Sequence, residues 1–412
     1  MIKDYTDEGF TAALCQYFTP AQPISEPEHL HGREPKLKAI SRALGSPGKH
    51  VFIYGDRGVG KTSLAKTAFQ LHSPHSKHFP LVACEANSAF FELVDSIRRQ
   101  IAIHDQSSAA GTINLREIDS PINSGLALPT MRNINDAVEA LRAAVSTSGP
   151  PMVVIIDEFD QIAEDKDKKS FADLIKQLSD QEINLRLILC GIGRSLDELI
   201  GVHLSTDRYL ATVPLEQIPH DARWKILEAA ATFFGIDFDR DSIIRIGQIS
   251  DGFPYYVHLI GEKIFWDMQD DPVKVTAVSA DHYQRGIHGA IEESQTSLRQ
   301  AYELATQKHS NSDDYEEVLW SVADGKLLSR QVTEIFAQSY DRIVEQRHGR
   351  PKLKKEVFYQ RMNRLKQDNH GRILFGTRQG WYGFRENVVR GYVRLRAERA
   401  GVRVGVDHVK FS

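Results

Sequence analysis

The segment Gly55-Asp56-Arg57-Gly58-Val59-Gly60-Lys61-Thr62 satisfies the spacing G-x-x-x-x-G-K-[ST] at every fixed position. Gly55, Gly58 and Gly60 let the backbone bend so that its N–H groups face an anion. Asp56, Arg57, Val59 and the following Ser63 complete the loop around it. Lys61 would reach the β- and γ-phosphates of a nucleotide, and the Thr62 hydroxyl would bind Mg2+. A helix starting at Lys61 would add the positive end of its dipole. A second cluster, VVIIDEFD at 153–160, sets Asp157 and Glu158 behind four apolar residues. A buried strand there would carry Asp157 to a sheet edge as a second metal-holding group. Glu158, next to it, would orient and deprotonate an attacking water. Asp160 reads as a helix cap or a supporting group. ATP and Mg2+ are the ligands this chemistry implies, and the expected reaction is ATP plus water to ADP and phosphate.

Those residues need a sheet edge to stand on, and the surrounding pattern supplies one. HVFIYG (50–55), LVACEA (81–86), PMVVIID (151–157), LRLILCG (185–191) and YLATVPL (209–215) read as short buried strands. Helical stretches at 31–44, 61–71, 90–103, 133–145 and 167–180 alternate with them. Such alternation predicts an α/β three-layer sandwich around a mostly parallel sheet. Residues 104–130 are rich in Ser, Gly, Asn and Pro and read as a long loop or insertion. The expected division is a lead-in segment at 1–30, a nucleotide-binding domain at 31–218, a helical lid at 219–312 and a winged helix-turn-helix at 313–412. The last rests on a helix at 351–367 followed by RILFGT and WYGFRE around a tight turn, a β-hairpin signal.

The chain has 412 residues and a net charge of −4, which hides an asymmetry. Residues 342–412 hold 18 Lys and Arg against 6 Asp and Glu, and the remainder is acidic. A basic tail suggests a polyanion contact, either DNA or the acidic face of a neighbouring subunit. On helix 351–367, Lys354, Arg361 and Arg364 are expected on the side opposite the apolar residues, with Arg372 and Arg378 on the wing. Trp381 and Tyr382 are expected to pack the wing. Three scattered cysteines exclude a disulfide framework and a four-cysteine zinc site. The longest apolar stretch, Met152 to Ile156, is too short to span a membrane, and the N-terminus lacks a signal core. A cytoplasmic location without membrane contact is therefore expected.

With Gly32-Arg33-Glu34, the loop at 55–62 and Asp157-Glu158, the chain resembles AAA+ P-loop ATPases of the origin-recognition and initiator-like clade, with features similar to STAND signalling ATPases. The resemblance implies that the stretch around Arg33 packs on adenine, and that Arg208, before the fifth strand, is an arginine finger completing a neighbour's site in a homo-oligomer. It implies a polar sensor at the end of the fourth strand. Cys190 stands there, followed by Arg194 and Ser195, and none is the usual asparagine. It also implies an arginine near the start of a lid helix, but no arginine lies between Asp251 and Gly261. Gly252-Phe253-Pro254 stands there instead, similar to the GxP motif of STAND proteins. Pro254 would start a helix and bring Tyr255 or His258 toward the phosphates. The expected function is an oligomeric ATPase that engages double-stranded DNA through its winged helix, in replication, transposition or anti-phage defence. The alternative is a STAND-like switch whose nucleotide state controls a partner protein.

Overall fold

β1 (His50–Tyr54) is the strand on which the nucleotide loop hangs, and Val51, Phe52 and Ile53 on it are fully buried. The computed structural model describes residue 2 and residues 5–76, 78–109, 131–147, 149–193, 196–198, 208–306, 312–376 and 378–406. β2 (Leu81–Ala83), β3 (Met152–Asp157), β4 (Leu185–Gly191) and β5 (Leu210–Pro214) join β1 in a five-stranded sheet of order β2-β3-β4-β1-β5. Every pairing in it is parallel. A parallel sheet is covered on both faces, which is why β3 and β4 read as continuous apolar runs rather than as alternation. The helices α1 (Asp7–Tyr17), α2 (Glu34–Leu44), α3 (Lys61–His72), α4 (Phe90–Ala109), α5 (Ile134–Ala144) and α6 (Asp165–Asp180) precede or interleave the strands. Asn133 caps α5, its side chain accepting from the Asp136 N–H. The α/β sandwich expected from the sequence is present. The loop expected at 104–130 falls largely outside the described residues, and its first part, to Ala109, continues α4.

The C-terminal half is helical: α7 (His220–Phe234), α8 (Arg240–Ile249), α9 (Pro254–Gln269), α10 (Ala280–Glu293), α11 (Thr296–Thr306) and α12 (Ser312–Ala323). A short strand, β6 (Ser329–Gln331), then leads into α13 (Val332–Glu334), a π-helical turn over Ile335–Tyr340 and α14 (Asp341–Gln346). α15 (Lys355–Arg364) precedes the hairpin of β7 (Leu374–Gly376) and β8 (Trp381–Phe384), and α16 (Val389–Arg399) follows it. The hairpin is antiparallel as expected, and β6 adds a third strand, giving the order β6-β8-β7.

The chain separates into two compact units, one of residues 23–55 and 60–216, the other of residues 1–22, 56–59 and 217–412. The expected lead-in, lid and winged helix thus fall largely within one unit. Two observations explain why. Phe18, just past α1, lies so close to Gly261 of α9 that a Cβ there would come within 2.4 Å of its ring. The N-terminal helix is therefore fitted against α9 rather than standing apart from the helical unit. Arg394 of α16 donates to the carbonyl of Gln248 at 2.7 Å and pairs with Asp251 at 2.9 Å, tying the last helix to the end of α8 and the turn after it.

Candidate nucleotide site and basic surface

Gly55 is held in line with the sheet by its N–H, which donates to Gly191 of β4 at 3.2 Å. Gly58 and Gly60 have φ of +81° and +93°, left-handed conformations that favour glycine. α3 starts immediately after, with Gly60 as its cap. Lys61 Nζ donates to the Gly55 carbonyl at 3.0 Å, so the ammonium lies across the loop it closes. Thr62 Oγ1 donates to Asp157 Oδ2 at 2.6 Å. That bond joins the two sequence motifs, 95 residues apart, at the C-terminal ends of β1 and β3. Ligands of doubly wound sheets bind at this edge. Glu158 follows with φ of +55°, and its N–H donates to Asp157 Oδ1 at 3.0 Å. Its side chain is exposed, while Asp157 is buried. One carboxylate and one hydroxyl suit Mg2+, which keeps most of its shell for water and phosphate. Among the described residues no cluster of three His, Cys, Asp or Glu offers a larger cage.

The remaining loop residues are placed differently. Asp56 accepts from Asn387 Nδ2 at 2.8 Å, and Val59 is buried. Arg57 is exposed. Ser63 Oγ accepts from the Ile24 N–H at 3.1 Å, so this hydroxyl already braces the segment ahead of α2. Arg33 is buried and donates to the Glu216 carbonyl at 2.6 Å; burial lowers its pKa to about 10. Arg208 is exposed at the start of β5, its guanidinium 5.7 Å from the Tyr209 ring. Cys190 is buried, with its Sγ 3.9 Å from the Lys61 carbonyl. Burial pushes its thiol well above the usual range and pushes Cys84 up to about 12, so neither supplies a thiolate. Arg194 and Ser195 lie outside the described residues. Pro254 takes the first position of α9 as expected. Tyr255 and His258, however, are engaged inside the helical unit. Tyr255 Oη accepts from Gln295 N–H at 3.0 Å, and His258 Nδ1 accepts from Thr19 N–H at 3.3 Å.

Residues 29–189 match the family model described as AAA ATPase domain. That segment, which holds the loop at 55–62 and Asp157-Glu158, is similar to AAA ATPase domains. Comparison with curated proteins finds no match. Among solved structures, the chain is similar to the Walker-type ATPase of Pyrococcus abyssi, at 16% identity and a TM-score of 0.55, covering 91% of this chain and 99% of that one. It is also similar to Cdc6p from Pyrobaculum aerophilum, at 14% identity and a TM-score of 0.48, covering 93% and 98%. A third is the Orc1 protein of Aeropyrum pernix in complex with DNA, at 14% identity and a TM-score of 0.44, covering 91% and 95%. At these identities the likeness concerns the fold. No helix among the described residues is long and apolar enough to cross a membrane.

The basic C-terminal part of the chain is less free than its composition suggests. Taken from residue 313, it holds 20 Lys and Arg against 13 Asp and Glu. The acids of α12 absorb many of the cations. Arg350 donates to Glu317 at 3.0 Å and to Asp314 at 3.2 Å, and Arg396 pairs with Glu316 at 3.6 Å. Arg361 corrects the sequence reading. It is buried, donates to Asp314 Oδ2 at 3.0 Å and lies 5.1 Å from the Tyr315 ring. Phe358, Arg361, Met362 and Leu365 follow the spacing i, i+3, i+4, i+7, so the arginine belongs to the inward stripe. Lys354, at the start of α15, is exposed, and so is Arg364, which also reaches the Tyr315 hydroxyl at 3.3 Å. Arg372 pairs with Asp368 at 2.7 Å, and Arg378 lies 3.9 Å from the Trp381 ring. Tyr382 packs the wing and donates to Asn363 at 3.0 Å. Lys366 and Arg385 join Arg372 around a concavity of about 450 Å³ beside the half-exposed Phe375. Sequence reasoning missed the exposed Lys355, which opens α15, and Lys366, in the turn just after it.

Proposed function

We propose that this chain binds ATP with Mg2+ and hydrolyses the γ-phosphate, assembles into a homo-oligomer, and engages double-stranded DNA through the outer face of its winged helix. The Thr62–Asp157 hydrogen bond, with Glu158 as the next residue, carries the reading. A Mg2+ ion held by Thr62 and Asp157 would neutralise charge on the β- and γ-phosphates. Lys61 exchanges its bond to Gly55 for phosphate oxygens. The loop N–H groups and the α3 N-terminus bind the phosphates between them. Glu158, exposed beside Asp157, takes the proton of the attacking water. Arg208, exposed at the start of β5, is the group that would complete a neighbour's site and neutralise charge in the transition state. Arg33 supports the segment ahead of α2, and Pro254 fixes the start of α9.

On the DNA side, Lys354, Arg364 and Arg378 offer exposed charge, and phosphate contacts dominate such binding. Fluorescence anisotropy of the full chain on a duplex across a salt series tests this. Each lost phosphate contact is expected to flatten the slope of log affinity against log salt by about 0.9. The double variant Arg364→Ala, Arg378→Ala should therefore flatten it by about twice that. Arg361→Ala should instead lower stability, since it leaves Asp314 short of a buried partner. No duplex binding by the intact chain would move the reading to a nucleotide-controlled switch acting on a partner protein. The Gly252-Phe253-Pro254 motif, with no arginine from there to Gly261, is the observation that favours that second reading.

A further inference from the structure

α7 starts at His220 behind Pro219, with no side chain capping its first turn. Its free N–H groups carry the positive end of the helix dipole. A cavity of about 290 Å³ lies against this turn, lined by Pro219, His220, Arg223, Asp251, Lys326 and Leu328 among others. Three of those side chains are basic or titratable to a cation, and Asp251 is the one carboxylate among all that line it. That carboxylate is already shared by two buried guanidinium groups. Arg394 Nη1 lies 2.9 Å from Oδ1, and Arg390 Nε lies 3.2 Å from Oδ2. Arg390 is fully buried, and its Nη1 makes no hydrogen bond. Arg223 donates to the carbonyls of Ile218 at 3.0 Å and Gly247 at 2.9 Å, lies 3.4 Å from His220 Nδ1, and shares the charge of Asp251 with the other two guanidinium groups. Asp324, the next acid behind the cluster, pairs with Arg342. Three buried guanidinium groups, Arg223, Arg390 and Arg394, thus share Asp251 and Asp324, and the exposed Lys326 adds a fourth cation to the cavity lining.

Such an excess of buried positive charge is costly unless an anion balances it. Burial first, and then the charges of Arg223, Lys326 and Arg394, lower the His220 pKa to about 4, with Asp221 opposing. We propose that this cavity is a binding site for a small phosphate-bearing anion, held by the first turn of α7, His220, Arg223 and Lys326. A doubly charged tetrahedral group matches a helix N-terminus flanked by a guanidinium and an ammonium. The volume sits at the small end of ligand sites, which suits phosphate or pyrophosphate. No residue of the loop 55–62 lines the cavity, so the site is separate in composition from the nucleotide site and does not depend on the proposed hydrolysis.

Isothermal titration of the full chain with inorganic pyrophosphate tests the assignment. The background is Lys61→Ala, which disables the P-loop. One equivalent of pyrophosphate is expected to bind, and adding Lys326→Glu, an exposed position, should weaken it by about tenfold or more, the scale of one charge-assisted hydrogen bond. NMR of His220 in the same background should show its titration midpoint rising with pyrophosphate, because an anion favours the imidazolium. Absence of binding in the Lys61→Ala chain overturns the proposal, as does affinity indifferent to Lys326→Glu. Equal affinity for sulfate overturns the phosphate assignment.

Discussion

Replacing Lys61 with alanine is expected to reduce ATP affinity and turnover together, with kcat/KM falling by about 10²- to 10³-fold, the loss seen when one preorganised charge-stabilising donor is removed. Lys61 Nζ lies 3.0 Å from the carbonyl of Gly55, the first residue of the loop. The ammonium is the one side-chain cation fixed by the motif itself. Without it the loop N–H groups remain, and Thr62 with Asp157 remains able to hold a metal. The loss is therefore of charge rather than of shape. Lys61→Arg should rescue little, because a planar guanidinium does not fit the space of a compact ammonium. Nucleotide-induced thermal stabilisation gives the parallel readout. Binding at 100 times Kd adds about 2.7 kcal/mol of apparent stability, and that increment should largely vanish in Lys61→Ala. An unchanged thermal shift would show that ATP is held elsewhere.

The second large effect is on stability. Asp251→Asn is expected to cost about 3–5 kcal/mol, read from the denaturant midpoint of the full chain. Asparagine is the appropriate probe because Asp251 has φ of +51°, a conformation that Asn and Asp tolerate better than other side chains. The substitution leaves the backbone alone and removes only the charge. Arg390 and Arg394, with side chains 1% and 0% exposed, then lose the carboxylate 3.2 and 2.9 Å away. Those two ion pairs join α16 to the turn before α9, so their loss should loosen the helical unit. A denaturant midpoint close to wild type would mean that the carboxylate is not needed to offset the guanidinium groups.

The parts that are local in sequence were legible before the structure. The phosphate loop, Asp157-Glu158 and all five parallel strands are each written in a few consecutive residues. In the strands, the apolar run alone dictates the burial. What escaped depends on partners far along the chain. Arg361 looked like an outward cation because its acid, Asp314, lies 47 residues earlier. Its place within the stripe of Phe358, Met362 and Leu365 was the available signal. The basic tail likewise seemed free because α12, which holds Glu316 and Glu317, precedes the window in which the charge was counted. Asp251 gave no sign of its role, since Arg390 and Arg394 are more than 130 residues away. α1 was passed over because its buried face is only Phe10, Ala13 and Leu14. Gly261, which admits Phe18, reads in sequence as an ordinary helix glycine. His258 and Tyr255 were drawn toward the phosphates by analogy, and their hydrogen bonds show them serving the interior of the helical unit.

The central claim is that the edge built by Thr62, Asp157 and Glu158 hydrolyses ATP with Glu158 as the base. Single-turnover hydrolysis by Glu158→Gln, with ATP affinity measured on the same protein, tests it most directly. The amide keeps the size and the left-handed backbone position but accepts no proton. ATP affinity should stay within about threefold of wild type, while the hydrolysis rate falls by about 10²- to 10⁴-fold, the usual worth of a general base. Hydrolysis at the wild-type rate with ATP still bound would contradict the assignment of Glu158.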